Sequence, residues 1–148
     1  MDLAAQIAEV DRLRALDFPA QRVRTPAVHS GPGFHLAELA VSEDPHGDGG
    51  SRREEVADDF EAACQALIER LADRWGEPEP LDLYPFLLRQ EEGAPVPPPI
   101  DVLCGHVSEV YGWRVGARWI ALGVGQGDRE LPYQLVLAIG EGDVPAAL

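Results

Sequence analysis

Between residues 51 and 75 the chain places apolar side chains three and four positions apart without interruption: Val56, Phe60, Cys64, Leu67, Leu71 and Trp75. That spacing draws a single stripe down an α-helix and fits no other regular structure. Ser51 and Glu54 have the spacing of a capping box, and Gly76 and Pro78 punctuate the far end. Glu54, Glu55, Asp58 and Asp59 fall toward the positive end of the helix dipole, Arg70 and Arg74 toward the negative end. A helix over 51–75 is about 36 Å long. Its one apolar stripe must be covered by another layer, which for a helix of this length is a sheet.

The rest of the chain supplies that sheet through a period of two. Tyr111, Trp113 and Val115 alternate up to Gly116-Ala117; Ile120, Leu122 and Val124 alternate up to Gln126–Arg129; Tyr133, Leu135, Leu137 and Ile139 follow. Three antiparallel strands in succession are expected. Upstream, Val23, Thr25 and Ala27 alternate, Ser30–Gly33 forms a turn, and Phe34–Val41 reads as the second strand of a hairpin. Pro26 cannot donate to a ladder, which puts the first of these strands at an edge. Leu81–Arg89 reads as a further strand with Pro85 marking an edge or bulge, and the proline-rich residues 90–99 as a stiff spacer. Ile100, Leu103, Val107 and Val110 suggest one face of a short helix, weakened by Gly105.

At the N-terminus, Leu3, Ile7, Val10 and Leu13 mark a first helix over 3–16, capped by Asp2 and stopped by Pro19. Residues 140–148 read as a loose tail. The expected architecture is a single α+β domain over 1–148. In it an antiparallel sheet, made of a C-terminal three-stranded meander and an N-terminal hairpin, packs against one long helix, with a short helix at the N-terminus.

Charge narrows the function. The chain of 148 residues carries 26 acidic and 12 basic side chains, a net charge of −14. Every basic residue is arginine, a bias expected of GC-rich bacterial coding, and with no lysine neither Schiff-base chemistry nor a phosphate-loop lysine is available. So negative a surface repels phosphate backbones, so no nucleic acid is expected as a partner; it would speed encounter with a basic protein. No apolar run is long enough to span a membrane. Met1-Asp2-Leu3-Ala4 lacks the positive charge of a signal peptide, and Cys64 and Cys104 sit in no disulfide framework, so a reduced cytoplasmic protein with free thiols is expected.

Four patterns raise chemistry and fall short of it. Asp44–Glu55 carries acids at the first, fifth and twelfth places of a calcium-type loop with glycine at the sixth, but His46 stands where an oxygen ligand belongs. His29, His35 and His46, with Asp44 or Asp48, are donors enough for a transition metal, and His29 and His35 flank one turn, yet no spacing is diagnostic. Cys104 and His106 would share a face on a strand, without an orienting third group. Gly123–Gly127 is glycine-rich, but it closes a strand instead of opening a helix, so it reads as turn chemistry rather than a dinucleotide site. No cofactor is expected.

What remains is a surface. Asp58 and Asp59 on the long helix, and Tyr111, Trp113, Arg114, Arg118 and Trp119 on the meander, are the candidate binding residues; aromatics on a sheet pack inward unless one faces out, where aromatic and arginine side chains make contact surfaces. The expectation is a non-enzymatic interaction module for a basic partner protein, comparable only by analogy to toxin-neutralising immunity proteins or secretion chaperones. The alternatives are a small metal- or thiol-dependent enzyme and a subunit that self-associates as a homodimer through an edge strand or sheet face.

Overall fold

The structure, a computed structural model, describes residues 2–42, 53–126 and 132–145. The elements in chain order are α1 (Leu3–Arg14), β1 (Val23–Arg24), β2 (Val28–Gly31), β3 (Phe34–Val41), α2 (Arg53–Trp75), β4 (Glu79–Asp82), α3 (Tyr84–Glu91), α4 (Ile100–Leu103), β5 (Glu109–Val115), β6 (Arg118–Gly125) and β7 (Gln134–Glu141). The strands form one antiparallel sheet of seven in the order β1-β2-β3-β7-β6-β5-β4. The N-terminal hairpin and the C-terminal meander therefore join through β3 and β7, which places the last strand of the chain at the centre.

Both helices expected from periodicity are present. Asp2 caps α1, its carboxylate accepting from the Ala5 N–H at 3.2 Å. In α2, Phe60, Cys64, Leu67 and Leu71 are buried, with Val56 and Trp75 packed beside them. Together with Val10 and Leu13 of α1 they cover one face of the sheet, against Trp113, Ile120, Leu122, Leu135, Leu137 and Ile139. Arg74 of α2 donates to both carboxylate oxygens of Asp11 at 2.9 and 3.1 Å and ties the two helices together. The capping box at Ser51 and the calcium-type loop lie outside the described residues.

Two expectations are corrected. Leu81–Arg89 is not a strand: β4 ends at Asp82, and Tyr84–Glu91 is helical. Pro85 lies in the first helical turn, where its missing N–H has no partner to lose, and the Asp82 carboxylate accepts from the Tyr84 N–H. Leu83 and Phe86, three apart, are the buried side of that helix. Gly123 and Gly125 close β6 as expected, and the α4–β5 connection crosses them: a Cβ at Gly123 would stand 2.8 Å from the Val107 side chain, and one at Gly125 only 2.1 Å from the His106 carbonyl oxygen. The segment after 139 is not loose throughout, since Gly140 and Glu141 complete β7, Gly142 N–H donates to the Ala117 carbonyl, and Val144 packs on the core.

Those corrections share one consequence. The second face of the sheet is covered too, by α3, the proline connector and α4, through Leu83, Phe86, Val96, Ile100, Leu103, Cys104 and Val107 packed on Val110, Trp119, Ala121, Val136 and Ala138. That second layer spans β4–β7 and stops short of β1 and β2.

Candidate functional site

The candidate residues separate into three environments. Antiparallel pairing puts Tyr111, Trp113 and Arg118 on the α1–α2 face and Arg114 and Trp119 on the other. Trp113 is buried, edge-on to Trp75 at 5.5 Å, and its indole N–H donates to the Gly76 carbonyl at 2.7 Å, closing the end of α2. Trp119 is buried on the opposite face, lying over the bare backbone of Gly140. Neither tryptophan is available to a partner.

Both arginines of the meander have partners within the chain, Arg118 at the end of α1 and Arg114 at the surface. Arg118 reaches from the start of β6 to the C-terminus of α1 and donates to the carbonyls of Arg14 at 3.0 Å and Leu16 at 2.7 Å, with its guanidinium 3.9 Å from the Phe18 ring centroid. It satisfies helix-end carbonyls that have no partner within the helix. Arg114 donates to the Gly116 carbonyl at 2.7 Å and pairs with Asp143.

Asp58 and Asp59 are exposed on α2 and make no ion pair among the described residues. They belong to a ridge. From Glu54 to Glu69 the helix carries Glu54, Glu55, Asp58, Asp59, Glu61 and Glu69 and no basic residue. Tyr111 is half-buried at the foot of this ridge. Its hydroxyl is held above its ordinary pKa first by the hydrogen bond to Glu109, with the charges of Glu109 and Glu61 adding to it. Of the seven candidate residues, Trp113 and Trp119 are buried and Arg118 caps α1, while Asp58 and Asp59 are exposed on α2, Tyr111 lies half-buried near Glu61, and Arg114 is exposed beside Asp143 on the opposite face.

The histidines and cysteines are dispersed. His29 and His35 do not meet across their turn: His35 pairs with Ser30 and faces α1, while His29 pairs with Leu36 on the other face. Among the described residues no three metal-ligating side chains converge; His46, Asp44 and Asp48 lie outside them. Cys64 is buried on α2 with its thiol pushed up to about 12 by burial and by Glu61. Burial also raises Cys104, whose thiol donates to the Gln90 side chain at 3.3 Å, while His106 turns its Nδ1 to the Val102 carbonyl at 3.0 Å.

One polar pair was not legible in the sequence. His35 is fully buried, with Nε2 3.0 Å from the Leu16 carbonyl and Nδ1 2.6 Å from Ser30 Oγ. A carbonyl only accepts, so Nε2 carries the proton and Nδ1 accepts from the hydroxyl. Burial above all, then the charges of Arg118 and Arg12, keeps His35 below its ordinary 6.5 against the opposing pull of the Leu16 carbonyl. The neutral ring thus pins the loop after α1 to the sheet. The sheet edges are equally guarded: β1 has two residues, and β4 presents Glu79, Pro80 and Asp82, a proline without a donor and acids that would meet their own copies.

Compared with known protein families, curated proteins and solved structures, the chain matches none.

Proposed function

We propose that the protein is a non-enzymatic interaction module that binds a basic partner protein through the acidic ridge of α2, neutralising or escorting it. The observation that carries the reading is the run of six acids without a base from Glu54 to Glu69, exposed along the helix side opposite the buried stripe. Glu54 and Glu55 are accounted for by the helix dipole, whose attraction fades within the first turn. Asp58, Asp59 and Glu61 lie beyond it. Glu54 and Asp58 are like charges four residues apart, an arrangement that costs a helix a few tenths of a kcal/mol. A basic partner converts that repulsion into attraction, and Tyr111 supplies an aromatic anchor at the margin of the ridge.

Immobilised protein is exposed to lysate in about 0.1 M and about 1 M salt, between which the screening length falls from about 10 Å to about 3 Å. A basic protein is recovered at the lower salt and released at the higher, and the Asp58→Lys/Asp59→Lys variant recovers none. A partner that survives the higher salt or ignores the charge reversal refutes the reading, as does the absence of any basic partner.

A further inference from the structure

Where α4 stops short of the hairpin, the second face of the sheet holds a cavity of about 150 Å³. Its floor is apolar, formed by Leu36, Val102 and Val136, and its wall includes Arg24 and His29. Cross-strand pairing sets Arg24 opposite His29, so both side chains belong to the same face. His29 Nδ1 is buried without a hydrogen-bond partner among the described residues, the one side-chain polar atom there in that condition. Buried polar atoms are nearly always paired, and an unmet one asks for an explanation. Arg24 makes no ion pair among the described residues. The acid that lines the same cavity, Glu38, lies along β3 from His29's partner Leu36 and accepts from the Gln134 amide at 2.6 Å.

We infer that this cavity binds a short-chain carboxylate, its tail on the Leu36–Val102–Val136 floor and its charged end between Arg24 and His29 Nδ1. A cavity of this volume holds a ligand of roughly six heavy atoms, the bulk of benzene, which fits butyrate. Arginine supplies the charge and paired donors that a carboxylate prefers. Burial first, then the charges of Arg24 and Arg22, holds His29 below 6.5 against the opposing pull of Asp101, so the neutral ring can place its proton on Nδ1 to complete the cradle. The sheet separates this site from the ridge on α2, so the two proposals stand or fall independently.

Butyrate titrated into the whole protein, followed by nitrogen-correlated NMR of the imidazole rings, shifts His29 saturably and leaves His35, on the opposite face, unmoved. Arg24→Gln weakens the response at least tenfold. His29→Phe, titrated by calorimetry because its ring signal is gone, takes up no butyrate and keeps its Tm, because the removed nitrogen had no partner. Butanol and inorganic phosphate at the same concentrations leave His29 unshifted. The inference is overturned if butyrate produces no saturable shift, if His35 moves with His29, if Arg24→Gln binds as well as wild type, if either control ligand matches butyrate, or if His29→Phe melts several degrees lower.

Discussion

Gly140→Ala should destabilise this protein, although alanine is normally the better residue in a strand. Gly140 is in β7, opposite both Trp119 and Phe34, and its φ is not positive, so the backbone accepts an L residue. Relief of glycine's excess chain entropy alone would stabilise the variant by about 0.5–1 kcal/mol. The new methyl, however, would stand 2.2 Å from Trp119 Nε1, 2.3 Å from Cε2 and 2.5 Å from Cζ2. Carbon contacts settle at about 3.5–4.0 Å, so the indole must retreat by more than an ångström. It is 3% exposed and enclosed by the second core layer, which leaves it nowhere to go. Overpacking of this kind costs about 1–3 kcal/mol, and a displacement this large belongs at the upper end, for a net loss of about 2 kcal/mol. In a domain of this size that lowers Tm by about 4–8 °C. Urea unfolding with an unchanged m-value measures it directly. The companion is Trp119→Ala, which by itself costs about 3–5 kcal/mol; in that background the methyl meets no ring, and Gly140→Ala turns neutral or stabilising. The coupling is therefore about 2–3 kcal/mol. A Gly140→Ala variant as stable as wild type, or a double variant whose losses simply add, refutes the packing argument.

Two further outcomes follow from the α1 side of the sheet. Arg118→Met removes the guanidinium from the α1 carbonyls while keeping an apolar side chain near Phe18; for a partly exposed charged donor the loss is about 1–2 kcal/mol, and amide exchange accelerates through the last turn of α1, whereas unchanged protection there removes Arg118 from the cap. Because burial lowers His35 below its unfolded value of 6.5, the unfolded chain takes up the proton first, so its contribution to stability is complete above about 6.5 and is lost as pH falls below it. His35→Gln flattens the decline in unfolding free energy between about pH 7.5 and 5.5, a range above the ordinary carboxylate values of Glu9 and Asp11; an equally steep decline in the variant assigns the titration elsewhere.

Patterns repeated over many residues are legible in the sequence itself. Six apolar positions specify α2 and its buried side, since one helical period fits them and no strand does. The meander is legible for the same reason, from three consecutive alternations with turns between. Leu81–Arg89 is ambiguous in sequence because nine residues with mixed apolar spacing satisfy either period, and a proline that demotes a strand is equally at home in the first turn of a helix. The site was less legible than the fold. Asp58 and Asp59 are exposed because the stripe opposite them is buried, which the helical period implies directly. Whether Arg118 reaches solvent or a helix end depends on α1, roughly a hundred residues away in the chain, and no local spacing carries that information.

The chain alone determined its class, its long helix, its meander and its negative surface, because periodicity and charge are properties of neighbouring residues. Only the tertiary structure decided that a second layer covers the sheet, that Trp113, Trp119 and Arg118 serve the interior or the fold, that Ser30 meets His35, and that His29 is left with an unmet nitrogen beside Arg24. Those outcomes depend on which strands become neighbours. The pairing of β3 with β7 brings together segments about a hundred residues apart, through burial and backbone hydrogen bonds that no single stretch of sequence contains.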